Sequence, residues 1–154
     1  HIYLLGVRSS AFLAGYLNFY FHLIFKNVTL VQSAAGEIFD QMLRIGPGDV
    51  LVGISFPRYS QIAVNAVRFA RDRGADVIAV TDSKMSPIYK MASASLLVSS
   101  DMISFVDSMA APVSLLNALI MAVGQQKSEE TAESFSELER VWSQYGVFGD
   151  AEDE

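Results

Sequence analysis

Apolar residues along the chain fall into short runs separated by stretches of helical composition. The runs Ile2 to Leu5, Val28 to Val31, Val50 to Ile54, Val77 to Val80 and Leu96 to Val98 are aliphatic or β-branched and mostly do not alternate with polar residues. Such runs suit strands buried on both faces. Between them, Ala11 to Lys26, Glu37 to Arg44, Gln61 to Arg73, a short piece near Pro87 to Met91, and Phe105 to Val123 read as helices. This alternation predicts an α/β fold, a parallel sheet covered by helices on both sides. Gly74 marks the end of the third helix, and Gly46, Pro47 and Gly48 separate the second helix from its next strand.

The helices differ in how apolar residues are distributed around them. Gln61 to Arg73 is an ordinary covering helix, with Ile62, Ala66 and Phe69 on one face and Arg68, Arg71 and Arg73 outside it. Ala11 to Phe25 and Phe105 to Val123 are apolar almost all round, so a second surface must cover what the sheet does not. A symmetric homodimer is the expected cover. Asp107, Pro112, Ser114 and Asn117 interrupt the later helix, which argues against a membrane span. Beyond Gln125 the composition turns to Ser, Glu and Gln, yet Phe135, Leu138, Val141 and Trp142 keep helical spacing. The expected organisation is a domain over residues 1–128, then a final helix packed by that stripe and an acidic tail over 129–154.

Composition narrows the function. The chain has 154 residues, 51% of them hydrophobic, enough for one core. A formal net charge of -6 with 11 Lys and Arg leaves no basic face for a nucleic-acid backbone, so the polypeptide alone is not expected to bind DNA. Cysteine is absent and the two histidines, His1 and His22, have no metal-ligand spacing. No metal or cofactor is expected, and the compartment is expected to be reducing and cytoplasmic. The chain opens on His1 and runs directly into a strand, which reads as a piece of a longer protein.

In an open parallel sheet, chemistry gathers at the carboxyl ends of the strands. Three loops there carry hydroxyls. Gly6-Val7-Arg8-Ser9-Ser10 gives the backbone room to turn and offers serines to cap a helix or hold an anion. "ISFPRYS", residues 54–60, places Ser55 at a strand end and Ser60 at a helix start. Thr81-Asp82-Ser83, followed by Ser86-Pro87, leads into a short helix. Together they are expected to converge on a polyhydroxylated or phosphorylated ligand. Neither a P-loop nor a G-x-G-x-x-G is present, which disfavours a nucleotide.

These residues resemble the SIS (sugar isomerase) phosphosugar-binding domain, and within it the effector domain of RpiR-type bacterial transcriptional regulators. The resemblance runs from Ile2 to about Gln125 and rests on Gly6 to Ser10, on "GDVLVGIS" through Ser60, and on "GADVIAVTDSKMSPIYKMAS". It implies a three-layer αβα sandwich with a five-stranded parallel sheet in flavodoxin-like order, a dimer or higher oligomer, and a phosphorylated sugar held by the three loops. It also implies a DNA-binding helix-turn-helix domain upstream. The family's serine after the first glycine falls on Ser10, and the hydroxyl pair of its second loop on Ser55 and Ser60.

The chain departs from the family pattern at two places. Pro57 and Arg58 stand where Ser and Gly are usual, and Arg8 stands where the first loop often has glycine. Both changes bring a guanidinium toward one crevice, where it suits bidentate contact with phosphate or carboxylate. The expected ligand-binding set is therefore Gly6, Arg8, Ser9, Ser10, Ser55, Arg58, Ser60, Thr81, Ser83 and Glu37, and the ligand a phosphorylated sugar or sugar acid. The arginines could instead pair with Glu37 or Asp82 or cover a dimer surface. Three functions fit: a sensing and dimerisation domain, which is preferred and is not an enzyme; an aldose–ketose isomerase; and a dimerisation module with a vestigial pocket. For the isomerase, Glu37 near a helix N-terminus is the first candidate base, with His22 and Asp107 available if a partner subunit brings them over.

Overall fold

The computed structural model describes residues 1–32, 37–103 and 106–148. Strands β1 (Ile2–Gly6), β2 (Val28–Val31), β3 (Val50–Ile54), β4 (Asp76–Thr81) and β5 (Ala94–Leu97) form one sheet in the order β2-β1-β3-β4-β5. Every pairing in it is parallel, with Leu4 flanked by Leu30 and Val52. The predicted fold class and strand order are those observed. Order reverses between β1 and β3, so the ends of these two strands flank the crevice where open α/β sheets receive ligands.

Alternation along each strand divides the core in two. Tyr3, Leu5, Leu51, Val77 and Ala79 point to one face, where Ile38, Met42, Ala66 and Val67 meet them. Leu4, Val52, Ile54 and Val80 point to the other, against Leu13, Leu17, Phe21 and Leu116. These contacts place α2 (Ile38–Gln41) and α3 (Gln61–Asp72) on the first face, and α1 (Ser10–Ile24) and α4 (Ala110–Gln126) on the second. Leu17 and Leu116 are both fully buried, each burial favouring the fold by about 2 kcal/mol.

Several elements differ from expectation. The helix predicted over Glu37 to Arg44 is one turn, because the chain tightens so that Leu43 N–H bonds the Asp40 carbonyl and Ile45 N–H that of Met42, which buries Met42 and Ile45 together. The piece near Pro87 to Met91 is a 3₁₀ turn over Tyr89–Met91. The helix predicted from Phe105 starts at Ala110, with Pro112 in its first turn, where no backbone donor is required. Before it lies an antiparallel hairpin, β6 (Met102–Ile103) and β7 (Val106–Asp107), that the sequence reading missed. Gly74 does end α3, at φ 85°.

The final helix, α5 (Ser128–Tyr145), lies against α1 and α4 but buries none of its residues fully. Its apolar stripe is half covered at Leu138, Val141 and Trp142, while Phe135 and Tyr145 stay exposed. Residues 149–154, and with them the expected acidic tail, lie outside the described residues. Phe12 on α1 is 82% exposed, Phe19 62% and Met121 on α4 65%, the surplus apolar surface expected of these helices. No helix among the described residues is long and apolar enough to cross a membrane.

Candidate functional site

A cavity of about 550 Å³ opens at the carboxyl ends of β1 and β3, within the range usual for small-molecule sites. Its wall includes Arg8, Ser9 and Ser10 from the first loop, Ser55 to Ser60 from the second, and Asp107 from β7. Gly6 makes the first wall possible. A Cβ there would run into the Ser10 carbonyl, its carbon only 2.6 Å away, because the start of α1 rests directly on the strand end. This contact brings the hydroxyl of Ser10 to the mouth of β1.

Polar groups on the wall divide into engaged and free. Ser10, Ser55 and Ser60 make no side-chain hydrogen bond among the described residues, although Ser10 is 5% exposed and Ser55 4%. Ser10 and Ser55 are buried residues and Ser60 is half-buried, and hydroxyls without a protein partner among the described residues on one cavity wall favour a ligand that accepts hydrogen bonds. Arg8 and Arg58 are exposed, and neither pairs with Glu37, Asp82 or any other carboxylate among the described residues. The α3 N-terminus adds backbone donors beside Ser60, a favourable setting for an anion.

Arg8 sits at φ 59°, in the left-handed region. That conformation costs a non-glycine residue about 1 kcal/mol or more, which accounts physically for a preference for glycine at this position. Here an arginine occupies it and reaches the cavity wall.

Other expected contacts fall elsewhere. Ser9 precedes α1 but does not cap it through its side chain; its Oγ donates to Asp107 Oδ2 at 2.8 Å, so its one proton is engaged. Thr81 is fully buried and off the cavity wall: its Oγ1 lies 2.7 Å from the Ser55 carbonyl and 2.7 Å from Ser86 Oγ. Ser83 accepts from Met85 N–H and is also off the wall. The third loop therefore supports the second from behind and does not converge on the cavity. Tyr59 joins the two, donating to Asp82 Oδ1 at 2.8 Å; burial, helped by that bond, pushes its phenol above the ordinary value.

Glu37 is exposed at the start of α2 and Gly6 lines a neighbouring groove, so neither is a wall residue of the cavity. His22 is exposed in the last turn of α1 and hydrogen-bonds its own helix at Asn18 O. Asp107, expected in the first turn of a helix, instead ends a strand and reaches the cavity within its own chain. Sequence reading missed this wall because Met102, Ile103 and Val106 look like the start of the long apolar stretch that follows. Among the described residues there is no group of three His, Cys, Asp or Glu that could hold a metal ion.

The sequence model of the SIS domain matches residues 1–122. The chain belongs to the SIS domain family. Solved structures share its fold. The sugar isomerase domain of an RpiR transcription factor from Sphaerobacter thermophilus superposes with a TM-score of 0.85 at 23% identity, covering 91% of this chain and 78% of that one. NanR of Vibrio vulnificus, solved with ManNAc-6P, gives 0.79 at 17% identity over 97% of this chain and 56% of that one. A Methanococcus jannaschii protein, whose structure was taken to infer 3-hexulose-6-phosphate isomerase function, gives 0.65 at 14% identity over 86% and 75%. No curated protein matches the chain in sequence.

Proposed function

We propose that this SIS domain binds a phosphorylated sugar as the effector and dimerisation domain of an RpiR-type transcriptional regulator. The observation that carries the reading is the meeting on one cavity wall of three hydroxyls, Ser10, Ser55 and Ser60, and two guanidiniums, Arg8 and Arg58, none of which has a side-chain partner among the described residues. Phosphate offers the acceptor oxygens these donors lack, and the sugar hydroxyls fill the remaining space. The uncovered faces of α1 and α4, with Phe12, Phe19 and Met121, support a dimer between copies of the chain. DNA is contacted by a separate helix-turn-helix domain. A ligand preferring one arrangement of the two protomers then shifts the regulator toward it.

The isomerase reading is favoured by one observation, the carboxylate of Asp107 on the wall. Isomerisation also needs an acid within reach of the adjacent carbon, and Glu37 and His22 stand away from the cavity. A thermal-shift panel of phosphosugars, with each stabilising compound re-examined by NMR, separates the readings. The expected result is a raised Tm with the compound recovered intact. Conversion of the compound would establish the isomerase, and a flat response across the panel would leave a dimerisation module with a vestigial pocket.

A further inference from the structure

The cavity wall carries charge of both signs, and among the described residues no ion pair joins them. Asp107 is the sole carboxylate on the wall among the described residues, and neither Arg8 nor Arg58 forms an ion pair with it. It arrives from a separate element, the β6–β7 hairpin, whose flanks are tied by Ser108 N–H to Asp101 O and Ser100 Oγ to Ser108 O. Ser9 holds its Oδ2 at 2.8 Å, while Oδ1 has no hydrogen-bond partner among the described residues. The carboxylate is thus oriented from one side and open on the other.

We infer that Asp107 sets the specificity of this site by reading hydroxyl or amino groups of the ligand, and that Ser9 is the residue that positions it. The inference rests on the phosphosugar reading above and narrows it. An ionised carboxylate only accepts hydrogen bonds, so it selects hydroxyl or ammonium groups as partners. A second anionic group placed against it would be repelled and left without a donor. The ligand class is therefore a polyhydroxy or amino sugar with one phosphate and an end free of negative charge. Phosphorylated sugar acids, which the two arginines alone would admit, are rejected.

Isothermal titration of glucitol 6-phosphate, 6-phosphogluconate and inorganic phosphate into the chain tests this, because the two organic compounds differ only in a terminal CH₂OH against a carboxylate. The wild-type chain is expected to favour the hexitol phosphate by about tenfold or more. Asp107→Asn should remove most of that preference while inorganic phosphate still binds, and Ser9→Ala should reduce the preference less. Equal affinity for the two compounds in the wild type, binding of inorganic phosphate with neither organic compound, or a preference that Asp107→Asn preserves would each overturn the role of Asp107. Failure of all three compounds to bind would instead overturn the phosphosugar reading beneath it.

Discussion

The loops after β3 and β4 are built from similar materials and end in opposite states. Each begins at a strand end with a buried hydroxyl, Ser55 in one and Thr81 in the other, and each continues into a helical turn through a second hydroxyl residue. After β4 the hydroxyls are consumed internally, Thr81 binding the Ser55 carbonyl and Ser86. After β3 the hydroxyls of Ser55 and Ser60 stay free, and Arg58 faces solvent beside them. A hydroxyl at a strand end is therefore available to a ligand only where the structure around it leaves its proton without a partner. The β4 loop supports the structure that the β3 loop exposes.

The largest effect is expected where the opposite wall of the cavity is built, at the docking of α1 on β1. Gly6→Ala forces a Cβ into the Ser10 backbone and should destabilise the chain by about 3 kcal/mol or more in urea denaturation, the largest effect expected of any single change here. Thr81→Val tests the supporting loop. It leaves the Ser55 carbonyl and Ser86 unpartnered in a buried setting, so stability should fall by about 2 kcal/mol while phosphosugar affinity, measured on the folded protein, stays within about threefold. Arg8→Gly sharpens the contrast in the other direction. Relief of the left-handed backbone, offset by the freedom of glycine in the unfolded chain, should raise stability by about 0.5 kcal/mol while ligand binding weakens.

The sheet was legible because its central strands, β1, β3 and β4, are largely buried on both faces, which writes unbroken aliphatic runs into the sequence. Ser10, Ser55, Ser60, Arg8 and Arg58 were legible for a related reason: strand ends and helix starts locate the loops, and the loops carry their chemistry locally. What the sequence concealed was how each hydroxyl is used. The engagement of Thr81 with the Ser55 carbonyl spans 26 positions, and that of Ser9 with Asp107 spans 98, so neither leaves a local signal. Asp107 was hidden further because its two-residue strand lies beside the long apolar stretch that becomes α4. The brevity of α2 had a similar cause, since turns that bury Met42 and Ile45 overrode the helical composition of Glu37 to Arg44.

Titration calorimetry on Arg58→Ala is the most direct test, using the phosphosugar that most stabilises the wild-type chain. Arg58 is exposed and has no ion-pair partner among the described residues, so its removal should change stability by less than about 0.5 kcal/mol. The predicted result is a loss of affinity of about tenfold or more with the fold intact, since a charge-assisted contact to phosphate disappears. Unchanged affinity in a folded Arg58→Ala protein would contradict the account, because the free groups of the β3 loop would then not be what holds the ligand.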